Sequence, residues 1–354
     1  MLKTFLSTAA LVVFVSSSVQ SIAAPAQVLS PIELPADFQY PNGIARASDG
    51  TLYVGSVTSG RILRINPQGK SETFFVGSDE IFAATSLRLD ERRGILWGTS
   101  PDFLGVPGAN GETIRRPHRI FAIDSRTGKV LRVTLMPDGG FGNDMALDAD
   151  GGVYLTDSSR PRIYYLAPGA TQLQIWAEDT RWATKEIGLS GIARRPDGVM
   201  VVGLFSGGEL FKVVQESQGR VKVEAIPLAR KLENPDGMQF APDGRLLVTE
   251  GAIAPKGRAQ SAIASGNGRL LRIDVVSPAT KPKAVETIAA DMESPVNLTV
   301  AGRNVWVTEA RIRHRLLPGR EKDIPNRFFI RRFILPADMT TGLMSLEVGA
   351  IRFG

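Results

Sequence analysis

The sequence predicts an all-β chain folded as a six-bladed β-propeller, with four-stranded antiparallel blades around a central channel. Three observations carry that expectation. A hairpin pattern recurs along the chain, its copies are spaced at the length of a blade, and most copies are followed by the same kind of third strand.

The pattern is plainest in Asn143-Asp144-Met145-Ala146-Leu147-Asp148-Ala149-Asp150-Gly151-Gly152-Val153-Tyr154-Leu155-Thr156-Asp157. Met145 and Leu147 alternate in a first strand, and Val153 and Leu155 in a second. Asp150-Gly151 predicts a tight turn between them, because such turns need positive φ. Pro41-Asn42-Gly43-Ile44 leads in the same way to Asp49-Gly50, Leu189-Ser190-Gly191-Ile192 to Asp197-Gly198, and Pro235-Asp236-Gly237-Met238 to Asp243-Gly244. In these copies the apolar anchor precedes the turn aspartate by five positions, which marks those aspartates as structural. Two weaker copies centre on Leu87 and Leu298. The anchors at 44, 87, 145, 192, 238 and 298 are 43 to 60 residues apart, with insertions in the second, fifth and sixth repeats. Third strands are expected to start near residues 61, 119, 162, 209, 269 and 328, and outer strands at residues 130–133 and 221–224. A lone blade cannot bury both faces; radial stacking buries them.

Taken in order, residues 1–24 combine Lys3, an apolar run and a small-x-small site at Ser21-Ile22-Ala23. That is the pattern of a secretory signal, so the mature protein is expected to be exported, periplasmic or extracellular, with one propeller domain over residues 25–354. No other stretch approaches the ~20 apolar residues of a membrane span, so no membrane insertion is expected. Residues 27–38 are Pro-rich and read either as a strand closing the ring against the last blade or as an extended linker. Residues 100–117, 252–268 and 311–326 read as long loops between second and third strands. The chain has no cysteine, which excludes disulfides and thiolate chemistry. The net charge of +6 is mixed along the chain apart from a basic run over residues 311–332, and no nucleic-acid motif is present.

In a propeller the start of each first strand and the end of each second strand share one face. Two polar rings follow: Asn42, Thr85, Asn143, Ser190, Asp236 and Val296, then Gly43, Ser86, Asp144, Gly191, Gly237 and Asn297. The second strands end at Ser56, Ser100, Asp157, Leu204, Glu250 and Glu309. Convergent oxygens suit a hard cation such as calcium. Glu250 and Glu309, at equivalent places in adjacent blades, read either as a carboxylate pair with one raised pKa or as partners of arginines such as Arg258 and Arg311. His118 and His314 sit in or beside insertions and read as solvated.

Asn143-Asp144 with Asp148-x-Asp150-Gly151, and Pro235-Asp236-Gly237-Met238 with Asp243-Gly244, resemble the SMP-30/gluconolactonase family. Tyr154-Leu155-Thr156-Asp157-Ser158-Ser159 also resembles the related strictosidine-synthase-like propellers. The first resemblance implies a divalent metal in the channel, often calcium, held by a glutamate, two asparagines and an aspartate. The corresponding positions here are Asn42, Asn143 and Ser190, and Asp236. One negative charge is therefore missing at Asn42. The activity so implied is hydrolysis of a lactone or related ester, with Asp236 or Asp144 taking a proton from water and Ser100, Asp157, Glu250 and Asn297 available to bind a small-molecule substrate. The alternatives are a non-catalytic propeller that binds a ligand or protein through its loop-rich face, and a metal-independent strictosidine-synthase-like enzyme with Glu309 as acid-base.

Overall fold

A computed structural model describes residues 25–251, 267–278, 281–312, 322 and 324–337. The expected signal over residues 1–24, the loop carrying Arg258, and His314 with residues 313–321 and 323 of the basic run lie outside the described residues. Six four-stranded antiparallel sheets are arranged as blades. Their inner strands are Pro41–Arg46, Leu87–Asp90, Gly142–Leu147, Leu189–Arg194, Pro235–Phe240 and Pro295–Ala301, for blades 1 to 6 in order. The second strands are Leu52–Ser56, Ile95–Ser100, Val153–Asp157, Met200–Leu204, Leu246–Glu250 and Asn304–Glu309. The outer strand of blade 6 is Gln27–Glu33, which pairs antiparallel with Phe329–Ile334 in the register Val28 to Phe333 and Ile32 to Ile330. Of the two readings of this segment, the closing strand is the one the chain adopts.

The anchors Ile44, Leu87, Met145, Ile192, Met238 and Leu298 are each at most 1% exposed. They belong to six apolar clusters, one between each pair of consecutive blades; Trp97 and Ile120 of blade 2, for example, pack on Met145 and Leu155 of blade 3. Burying such a side chain is worth roughly 1.5–3 kcal/mol, so the interfaces, not the isolated blades, hold the ring.

The hairpin turns are one residue longer than the tight turn expected at Asp150-Gly151. Asp148 N–H donates to the Gly152 carbonyl, leaving a three-residue loop that ends on Gly151 at φ +91. This is the longer glycine-ended hairpin, in which only one residue needs positive φ. The aspartates act through Asx turns: the carboxylates of Asp49, Asp197 and Asp243 accept from the N–H two residues on, and in blade 3 Asp148 takes this part while Asp150 stays exposed.

Each inner strand except that of blade 2 shifts register at its start, between Pro41 and Ile44, Gly142 and Met145, Leu189 and Ile192, Pro235 and Met238, and Pro295 and Asn297. These are β-bulges, which interrupt the ladder and re-aim side chains. Threonine hydroxyls of second strands take up the carbonyls set free. Thr308 donates to Asn42, Thr99 to Asn143 and Thr156 to Ser190, each across a blade interface, and Thr249 donates to Gly237 within blade 5.

Candidate functional site

The bulges lie where the polar rings were expected. Asn42, Asn143 and Asp236 are partly exposed although they sit at the starts of inner strands. The space they face is the channel. Asn143 donates from Nδ2 to the Ser158 hydroxyl at 2.7 Å, which leaves its amide oxygen free. Asp236 lies deep in the molecule, yet among the described residues its carboxylate has no hydrogen bond or ion pair. Burial, and then the negative charge of Asp144, raise its pKa well above the usual carboxylate range. Ser190 is placed differently: it is fully buried and donates its hydroxyl proton to the Pro235 carbonyl at 2.6 Å.

Beneath these three lies a second polar layer. Asp144, 2% exposed, accepts from Ser86 Oγ at 2.6 Å, from Arg88 Nη2 at 2.8 and 2.9 Å, and from the backbone N–H groups of Met145 and Ile192. Arg88 Nη1 reaches toward Asn297 Oδ1 at 3.5 Å, and Asn297 donates to the Thr85 carbonyl. A guanidinium from blade 2 thus links blade 3 to blade 6. Three glycines make this layer possible. A Cβ on Gly191 would lie 1.9 Å from the Asp236 carbonyl oxygen, one on Gly237 2.6 Å from Asn297 Cα, and one on Gly43 2.8 Å from Leu87.

The candidates at the ends of the second strands are turned to local backbone or to arginines. Ser100, fully buried, accepts from Phe82 and Ala83 N–H at 3.0 Å. Asp157, also fully buried, accepts from Phe141, Ser159 and Arg160, while its other oxygen is buried without a partner; burial is the main cause of its raised pKa. Glu250 is held between Arg230 at 2.6 Å and Arg269 at 2.9 Å. Burial opposes its ionisation, but the two arginines and the Glu233 N–H outweigh it and lower the pKa. Glu309 accepts from Glu293 N–H at 2.6 Å, with Arg331 no nearer than 3.8 Å, and burial raises its pKa. Neither glutamate perturbs the other, and Arg311 pairs with Glu293 instead. The two are therefore not a coupled pair, because each has its own neighbours at its own blade edge.

Sequence reasoning missed Arg88 and the packing of the 100–117 loop. One signal for Arg88 was available: the residue after the anchor is alanine in blades 1, 3 and 4, so an arginine there is out of pattern. Arg116 of the 100–117 loop lies 3.7 Å from the Phe82 ring centre and pairs with Asp102 at 3.0 Å. His118 is not the solvated residue expected. It is half-buried, edge-on to Phe141 at 4.7 Å, and burial lowers its pKa, so the neutral ring is favoured. That loop also forms a short hairpin of Val106–Pro107 with Thr113–Ile114.

A calcium-type site needs oxygen donors. The free oxygens of Asn42, Asn143 and Asp236 fit in kind, although only one of them carries charge. Among the described residues no three histidine, aspartate or glutamate side chains cluster as a metal set, so any site here depends on amide oxygens.

No family model matches the chain, and no curated protein matches it. The fold, by contrast, has solved counterparts. A gluconolactonase from Xanthomonas campestris is 14% identical, with a TM-score of 0.59 over 91% of this chain and 99% of that one. A virginiamycin B lyase from Staphylococcus aureus is 14% identical, with a TM-score of 0.55 over 87% and 99%. A PQQ-bound aldose sugar dehydrogenase from Streptomyces coelicolor is 12% identical, with a TM-score of 0.54 over 88% and 100%. The chain is a six-bladed β-propeller of the shape that gluconolactonases share. At these identities the likeness concerns the fold, which carries several chemistries.

Proposed function

We propose that the chain hydrolyses a lactone or related ester at the bulged end of the channel. The observation that supports this best is the Asp236 carboxylate, deep, open to the channel and without a partner. A perturbed carboxylate in a cleft is a functional candidate, and one whose pKa is raised is a stronger general base. In this reading Asp236 takes the proton of the attacking water and returns it to the leaving oxygen. Asn42 and Asn143 orient the ester from the same ring. Asp144 acts as a positioning residue: held by Arg88, it supplies the negative charge that keeps Asp236 basic.

A divalent cation, calcium by the resemblance, would be held by Asn42, Asn143 and Asp236, with Ser190 offering at most a lone pair. When bound it would polarise the substrate carbonyl. Because it needs Asp236 ionised, its affinity should fall as pH falls.

The test is a lactone and aryl-ester panel assayed with and without calcium on wild type and Asp236→Asn. Turnover lost in the variant supports the reading; turnover retained, or none with any substrate, removes it. A second reading, a non-catalytic propeller that binds a ligand or protein through its loop-rich face, is favoured by one observation: Ser100, Asp157, Glu250 and Glu309 are all engaged with backbone or arginine. Glu309 as acid-base has less support, since its carboxylate is 4% exposed and bonded to Glu293 N–H. Export rests on the pattern of residues 1–24, and cell fractionation with mapping of the mature N-terminus tests it.

A further inference from the structure

The channel continues beyond the Arg88–Asp144 layer into a cavity of about 210 Å³, lined by the inner strands of all six blades. Among the described residues three charged side chains line it, Arg46, Arg88 and Arg194, and no carboxylate does. Arg88 is engaged by Asp144. Among the described residues Arg46 and Arg194 make no salt bridge, and the Nε atom of each is buried without a hydrogen-bond partner. Asp49 lies within electrostatic reach of Arg46, and Arg194 meets Tyr154 and the Arg195 carbonyl at 3.4 Å, but none of these bonds reaches either Nε. Orphaned buried donors are rare and ask for a partner.

Both guanidinium groups are also held in place. Arg46 lies 5.3 Å from the Trp306 ring centre and Arg194 5.7 Å from that of Tyr154, in each case on the preceding blade. Stacking on a ring leaves the edge of the fork for an anion. The two arginines stand two residues past their anchors in blades 1 and 4, which face each other across a six-membered ring. The equivalent residues of the other blades are Leu89, Leu147, Phe240 and Val300. Two cations on opposite walls, with apolar side chains between them, complement a short molecule with an anionic group at each end. The volume is below the ~300–1,000 Å³ of drug-sized pockets, which suits a small organic acid.

We propose that this end of the channel is a second binding site, for a short dicarboxylate held end to end by Arg46 and Arg194. Each guanidinium meets one carboxylate through paired N–H donors. The site is separate from the bulged end, since the Arg88–Asp144–Asn297 layer lies between them.

Calorimetric titration of the full chain with succinate tests the proposal, with propionate and neutral succinamide for comparison. Succinate is expected to bind at millimolar concentration or tighter, propionate more weakly, and succinamide not at all. Arg46→Gln and Arg194→Gln should each weaken succinate by about tenfold or more, while Asp236→Asn should leave it unchanged. No succinate heat, propionate binding as tightly as succinate, wild-type affinity in the glutamine variants, or loss of binding in Asp236→Asn would each overturn the proposal. Should the glutamine variants fail to fold, Arg46→Lys and Arg194→Lys keep the charge but lose the fork; wild-type affinity in both would also overturn it.

Discussion

Asp236 and Arg88 decide the electrostatics of the channel in opposite ways. Asp236 has a pKa raised by burial and by Asp144. An acid whose folded pKa exceeds its unfolded value binds more protons when folded, so between those two values stability falls as pH rises. Asp236→Asn should therefore raise the melting temperature of metal-free protein at neutral pH, by about 2 °C, while abolishing turnover. Activity of the wild type should rise with pH through the window in which its stability declines. Melting curves and rates recorded over the same pH series check both signs; a variant that melts lower would show that the carboxylate is a strand cap. Arg88 offers the contrary case. Removing it leaves the buried Asp144 without its cation, so Arg88→Met should cost about 3–5 kcal/mol in a denaturant titration.

At the level of the strand, the bulge is the recurring device. It frees carbonyls that a regular ladder would have used, and Thr99, Thr156 and Thr308 satisfy them from the preceding blade. Thr308→Val keeps the shape but leaves the Asn42 carbonyl unmet, and should cost about 1–3 kcal/mol by equilibrium unfolding. The closing strand Gln27–Glu33 makes the other element-level prediction. Deleting it exposes the edge of Phe329–Ile334, and an unpaired edge recruits other chains. Such a truncation should melt lower and run as oligomers in size-exclusion chromatography; a monomer with unchanged melting would show that ring closure needs no fourth strand in blade 6.

For the molecule as a whole, the ring sets what the channel can hold. Among the described residues no helix is long and apolar enough to cross a membrane, and the polar side chains that converge do so on the axis. With one free carboxylate and two amides at the bulged end, calcium affinity is expected on the order of 10⁻⁴–10⁻³ M. Titration of metal-stripped protein checks this, and no heat at millimolar calcium would leave Asp236 to act alone.

The sequence by itself determined the number of blades, the inner three strands of each, and the places of the hairpin turns and of the two polar rings. All of these are written in local pattern: alternation of apolar residues, turn chemistry, and a repeat that averages over its own exceptions. Only the tertiary structure decided which polar side chains remain free. Ser100, Asp157 and Glu250 occupy positions that read like Asp236, yet backbone donors and arginines have taken them up. It also decided that Arg88 bonds Asp144 across 56 residues, that Asn297 reaches Thr85 across 212, and that residues 27–33 close blade 6. These contacts join segments far apart in the chain, and the last two form only when the ring is complete, so no window of sequence holds both partners. The freedom of a carboxylate is a property of what surrounds it, and at Asp236 the surroundings are supplied by other blades.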